Sequence, residues 1–193
     1  MKKKSKLYVL LKPIVMFFIR LIYHPKYINK ELVNKEGSYI IVINHQSYSD
    51  PLLIQAGSKR QIHYFAKIEL KTMPFLGFFM RRCNLIFVDR SKKSPETIKE
   101  GIKYLEKGSV IGIFPEGTRN LTEKEFLPFK MGAFKMAKDS NKPIIIAVIK
   151  GKIRPFIGRI EVHFKGPYDI GKMTLEEGRK YIYNEMLKIK EEE

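Results

Sequence analysis

Three stretches of the chain, 39–43, 110–114 and 143–149, are short, apolar and rich in β-branched residues. Runs of this kind read as buried strands. Residues 62–66 and 85–88 have the same character, while Ile160, Val162 and Phe164 alternate with other residues as a strand should. Helical patterns fall between these runs. Asp50-Pro51 has the form of an N-cap and first helical residue, and 74–82 reads as a short helix. Ser94-Pro95-Glu96 opens a longer helix, with Ile98, Ile102 and Leu105 on one face and Gly108 as its stop. Another helix is expected over about 131–138, and Thr174 with Glu177 makes a capping-box pattern for the last. Strands and helices alternate throughout, so the expected fold class is α/β, with a mainly parallel central sheet covered by helices.

A chain of 193 residues is long enough for one substantial core. Its 37 lysines and arginines outnumber 20 acidic residues, for a formal charge of +17. Such a surface expects an anionic partner, and nucleic acid, an anionic bilayer and phosphorylated substrates all satisfy it. The single cysteine, Cys83, excludes an intramolecular disulfide and any multi-cysteine zinc site. The four histidines show no metal-ligand spacing, and no metal or cofactor is expected.

Between Lys6 and His24 the sequence LYVLLKPIVMFFIRLIY carries only Lys12 and Arg20 as charges. As a helix it would be about 26 Å long, against roughly 30 Å for a hydrocarbon core. Tyr8, Lys12, Met16, Arg20 and Tyr23 fall in a sector of about 120° on a helical projection, leaving a wide apolar face. That pattern favours a helix lying in the membrane interface, with Lys and Arg side chains snorkelling to the phosphates. Basic residues flank both ends, and each flank prefers the cytoplasmic side. A signal peptide is disfavoured by Lys12-Pro13 and by the absence of small residues suited to cleavage. Residues 1–30 are therefore expected to anchor the chain, and 31–193 to form the globular domain.

Two segments carry candidate chemistry. NHQSYSD follows the first buried strand and places His45 and Asp50 in one loop; a turn must bring them together, because five residues apart on a helix they diverge by about 140°. Joined, Asp50 would hold the imidazole in one tautomer while its other nitrogen takes a proton. Equally, Asp50 could be a helix cap and His45 a surface residue. FPEGTRN follows the strand at 110–114, so both loops can reach one edge of a parallel sheet, where α/β ligands bind. There Gly117 permits a tight turn, Thr118 offers a hydroxyl and Arg119 a planar fork for phosphate.

These residues resemble the glycerolipid acyltransferases typified by lysophosphatidic acid acyltransferase. NHQSYSD is similar to that family's first block, in which a His and an Asp form the catalytic dyad, and FPEGTRN to its third, whose Glu, Gly and Arg help bind the glycerophosphate. AKIELKTMPFLGFFMRRCNLIFVDR resembles the second region, with Lys67 at a phosphate-contacting Lys and Arg90 at the closing Arg; FLPFKMGAF matches the segment after the third block. Ala147 stands where the fourth block often has Pro.

The resemblance implies transfer of an acyl chain from acyl-CoA or acyl-carrier protein to the sn-2 hydroxyl of a lysophospholipid. His45 would act as general base, Asp50 would orient it, and Lys67, Arg90, Glu116, Gly117, Thr118 and Arg119 would bind substrate. Glu116 is expected to orient the glycerol or an Arg, and N–H groups near Gly117 to stabilise the oxyanion. Partners would be the acceptor, the thioester donor and an anionic membrane, with the protein monotopic or peripheral on the cytoplasmic face. Glycerol 3-phosphate or another lysolipid is an alternative acceptor, and a non-enzymatic basic membrane module an alternative class. Nucleic-acid binding has no recognition motif to support it.

Overall fold

The computed structural model describes residues 6–74, 77, 81, 85–88 and 95–192. Arg90, Cys83 and most of the helix expected at 74–82 lie outside the described residues. The elements in chain order are α1 (Lys6–Tyr23), β1 (Lys26–Ile28), β2 (Tyr39–Ile43), α2 (Asp50–Gly57), β3 (Ile62–Lys67), β4 (Ile86–Val88), α3 (Pro95–Glu106), β5 (Val110–Ile113), α4 (Gly132–Ser140), β6 (Ile144–Lys150), β7 (Glu161–Tyr168) and α5 (Leu175–Glu191). The seven strands form one sheet in the order β1-β7-β6-β2-β5-β3-β4. All pairings are parallel except β6 with β7. The α/β expectation holds.

Side chains of β2 alternate between two cores. Ile40 and Val42 join Ile144, Ile146 and Val148 of β6 against Leu105, Phe134, Met136, Ile182 and Met186 from α3, α4 and α5. Tyr39, Ile41 and Ile43 join Ile145, Ala147 and Ile149 on the opposite face, against Met16 and Ile19 of α1 and Leu53, Ile54 and Ala56 of α2. Both faces are covered, so neither parity of these strands admits a polar residue. The capping box at Thr174 and Glu177 is formed, each side chain meeting the other's backbone N–H.

Strand β1 pairs with β7, and Met16 and Ile19 of α1 belong to the same core as α2. The polar stripe of α1 faces inward, contrary to the expected snorkelling. Lys12 Nζ donates to the carbonyls of Ser58, Lys59 and Arg60 at 3.3, 3.0 and 3.4 Å, and Arg20 to Ala56 O at 2.5 Å. Those carbonyls lie in and just beyond the last turn of α2, where acceptors lack intrahelical donors and the helix dipole favours cations. The apolar stripe faces outward, with Val9, Leu10, Ile14, Phe17, Phe18 and Leu21 all exposed.

Replacing Lys12 or Arg20 with Ala is expected to lower stability by about 0.5–1.5 kcal/mol each, read as a shift in the urea midpoint. Unchanged midpoints for both would mean that these contacts do not hold α1 to α2.

Candidate active site

Strands β2, β5 and β3 lie side by side and parallel, so the segments that follow them emerge on one edge of the sheet. After β2 the ladder continues through a side chain. Buried Asn44 donates to Ile149 O at 3.1 Å and accepts from Ile149 N at 2.7 Å, which fixes where the next residue, His45, begins. Gln46 adds a bond to the same carbonyl at 3.1 Å.

The turn that the sequence requires between His45 and Asp50 is present. Asp50 is the first residue of α2 rather than its N-cap, which is Ser49. Its carboxylate turns back into the loop and is fully buried. Asp50 Oδ2 accepts from the amides of Gln46 and Ser47 at 2.7 and 2.9 Å and meets His45 Nδ1 at 2.7 Å. An ionised carboxylate only accepts, so Nδ1 carries the proton in the neutral ring and Nε2 holds the free lone pair.

Aromatic stacking sets the ring plane. Phe114, just beyond β5, stacks on His45 with centroids 4.2 Å apart at 28°. Tyr64 stacks behind Phe114 at 6.0 Å and 19°, and its hydroxyl donates to Pro51 O at 3.1 Å. Burial, followed by the nearby Tyr8 and Asp50, pushes the Tyr64 phenol well above its ordinary range. Gly112 makes this column possible, because a Cβ there would lie 2.3 Å from Tyr64 Cε1.

Glu116 is 3% exposed, and both of its oxygens bind backbone. Oε1 accepts from His45 N at 2.8 Å and Oε2 from Leu127 N at 2.9 Å. Asn120 N in turn donates to His45 O at 2.7 Å. Both backbone polar groups of His45 are thus held by the FPEGTRN loop. Burial raises the Glu116 carboxyl above its usual range, and the two amides only partly oppose that. In this arrangement Glu116 braces the two loops through backbone amides. The N–H of Gly117 is likewise engaged, donating to Phe114 O at 3.1 Å, so it is not an open oxyanion donor.

Gly117 has φ +73, a left-handed conformation at the place where a tight turn is expected. Thr118 is exposed at the loop surface. Arg119 lies with its guanidinium carbon 3.8 Å from the ring centroid of Tyr48 and donates to that hydroxyl at 3.0 Å. Lys67 ends β3 on the same edge, exposed. Two further residues at the site are not singled out by the sequence patterns. Tyr48, an aromatic in an otherwise polar loop, carries Arg119. Lys130 folds over Gly117, close enough that a Cβ on Gly117 would be 2.6 Å from its Nζ; its place in FLPFK is the one signal that points to it.

An oriented His–Asp pair and cationic side chains at the carboxyl edge of a mainly parallel sheet make a candidate group-transfer site. The chain matches the acyltransferase family over residues 24–150 and belongs to it. It is 35% identical over 127 residues to the 1-acyl-sn-glycerol-3-phosphate acyltransferase of Bacillus subtilis (strain 168), covering 65% of this chain and 62% of that protein. It is 38% identical over 115 residues to the Saccharomyces cerevisiae protein of the same name, covering 58% and 38%. The chain therefore spans less than two thirds of the length of either relative. The crystal structure of the 1-acyl-sn-glycerophosphate (LPA) acyltransferase, PlsC, from Thermotoga maritima superposes with a TM-score of 0.77 at 26% identity, over 96% of this chain and 80% of that one.

Replacing Glu116 with Ala strands the amides of His45 and Leu127, at a cost of about 1–2 kcal/mol each. The expected result is a lower denaturation midpoint together with faster hydrogen exchange at those two amides. Unchanged protection at both would contradict the clamp.

Proposed function

We propose that the chain is a 1-acyl-sn-glycerol-3-phosphate acyltransferase, carrying a fatty acyl group from acyl-CoA or acyl-carrier protein to the sn-2 hydroxyl of lysophosphatidic acid. The observation that carries this reading is the His45–Asp50 pair, with Nε2 left as the acceptor, beside Arg119 on one sheet edge. The names of the relatives supply the substrate class.

In this reading His45 Nε2 removes the hydroxyl proton as the acceptor oxygen attacks the thioester carbonyl. A C–O bond forms and the C–S bond breaks. The thiolate leaves and takes the proton back from the imidazolium, so no acyl-enzyme arises. Proton transfer of this kind contributes roughly 10²–10⁴-fold, and Asp50 stabilises the transient imidazolium. Much of the remaining acceleration comes from positioning. Arg119, Lys67 and Arg90, with Lys130, supply cations for the acceptor phosphate. Arg119 is partly pre-ordered by Tyr48, which reduces the entropy lost on binding.

The same proposal puts the exposed apolar face of α1 in an anionic bilayer, monotopic on the cytoplasmic side. No helix among the described residues is long and apolar enough to cross a membrane, and the length and face of α1 suit an in-plane anchor.

Thiol release from an acyl thioester, with and without lysophosphatidic acid in mixed micelles, tests the reading. Wild type should show acceptor-dependent release, and His45→Ala should lose at least about 100-fold of it while remaining folded. Normal turnover in that variant, or no release by wild type with either donor, would refute the mechanism. Arg119→Ala is expected to raise the apparent KM for lysophosphatidic acid about tenfold or more. An unchanged KM would remove Arg119 from the phosphate site.

A further inference from the structure

The loop between β6 and β7, residues 151–160, holds the most exposed pair of adjacent apolar side chains among the described residues. Phe156 is 71% and Ile157 83% accessible, while Ile153 of the same loop packs against the core. Scattered exposed apolar residues are ordinary on protein surfaces; this pair is held outward by its backbone. Phe156 has φ +63, a left-handed conformation that a bulky L-residue adopts only where its surroundings impose it. Two glycines close the loop so tightly that no larger residue fits. A Cβ on Gly151 would lie 2.1 Å from Arg159 O, and one on Gly158 2.4 Å from Lys152 O.

The tip is also joined to α1. Phe156 N donates to Ile22 O, in the last turn of that helix, at 2.7 Å. The outward apolar face of α1 therefore continues toward Phe156 and Ile157. Lys152, Arg154 and Arg159 are exposed around the tip. β6 runs parallel to β2, so this loop leaves the sheet on the edge that carries His45. At the other end of the contact, Tyr23 at the end of α1 bonds Ser49 of the catalytic loop at 2.9 Å.

We propose that Phe156 and Ile157 form a second membrane-inserting wedge, with Lys152, Arg154 and Arg159 on anionic lipid headgroups and the pair acting together with the apolar face of α1. An amphipathic helix lying in the interface fixes depth, and holds rotation about its own axis only within the width of its apolar face. A second contact off that axis sets the rotation and turns the His45 edge toward the bilayer that holds a lipid acceptor. Apolar tips flanked by cations suit the boundary between headgroups and acyl chains. The inference rests on the membrane reading of α1, and its test separates the two.

The chain has no tryptophan, so Phe17→Trp and Phe156→Trp each place one fluorescent reporter in the 193-residue chain. The probe is vesicles of phosphatidylcholine with about 30% phosphatidylglycerol, a fraction chosen to give a negative surface, with and without brominated acyl chains. Both reporters are expected to shift to the blue and to be quenched by the brominated lipid. A response from the Phe17→Trp variant alone would overturn the wedge and leave the membrane reading of α1 standing. Silence from both variants would overturn both, and a response from the Phe156→Trp variant alone would overturn the joint contact. The Phe156→Asp, Ile157→Asp double variant should lose roughly tenfold or more in vesicle partition, with unchanged thiol release in detergent micelles. Unaltered partition would overturn the wedge.

Discussion

The site depends on how the backbone of one residue is held. His45 gives its N–H to a buried carboxylate, Glu116, and its C=O to the amide of Asn120, so a residue at the end of β2 is fixed by a loop that follows β5. Glu116 then uses its second oxygen on Leu127, which binds the following segment into the same unit. With both oxygens on amides the buried Glu116 carboxylate becomes a rigid brace. The imidazole inherits that rigidity. Its position is set by the backbone clamp, its plane by Phe114 and its tautomer by Asp50. Three independent constraints leave Nε2 as the one part of the ring available for chemistry.

Much of this is readable from residue order because strand burial and helix patterning leave local marks. The β-branched runs locate β2, β5 and β6, and the positions of NHQSYSD and FPEGTRN after two of them put both on one edge. What cannot be read depends on contacts between distant segments. Lys26–Ile28 is too short to show any period, yet it pairs with β7 and ties the N-terminal segment into the sheet. Asp at the start of a helix can cap it or turn back into the preceding loop, and only the folded loop decides. A Glu beside Gly and Arg suggests ligand contact, whereas the partners of Glu116 are amides that no local pattern reveals.

The N-terminal helix shows the same limit in another form. A helical projection separates a polar stripe from an apolar one but does not say which meets the protein. Here Lys12 and Arg20 turn inward to carbonyls at the end of α2, and the apolar stripe is left outside. The cations that would draw the chain to an anionic surface therefore come from elsewhere, among them Lys152, Arg154 and Arg159 in the β6–β7 loop. The His45 edge, α1 and that loop are joined by hydrogen bonds through Tyr23 and Phe156, so the proposed membrane contact and the proposed base would share one geometry.

The central claim is that Asp50 and the clamp hold neutral His45 with its proton on Nδ1 and a bare Nε2. Nitrogen-15 NMR of the histidine side chains, assigned by comparison with a His45→Gln variant, reads this directly. A ring with a protonated Nδ1, hydrogen-bonded, and an unprotonated Nε2 is the result the account predicts. A His45 ring protonated on Nε2, or one exchanging rapidly between tautomers, would contradict it.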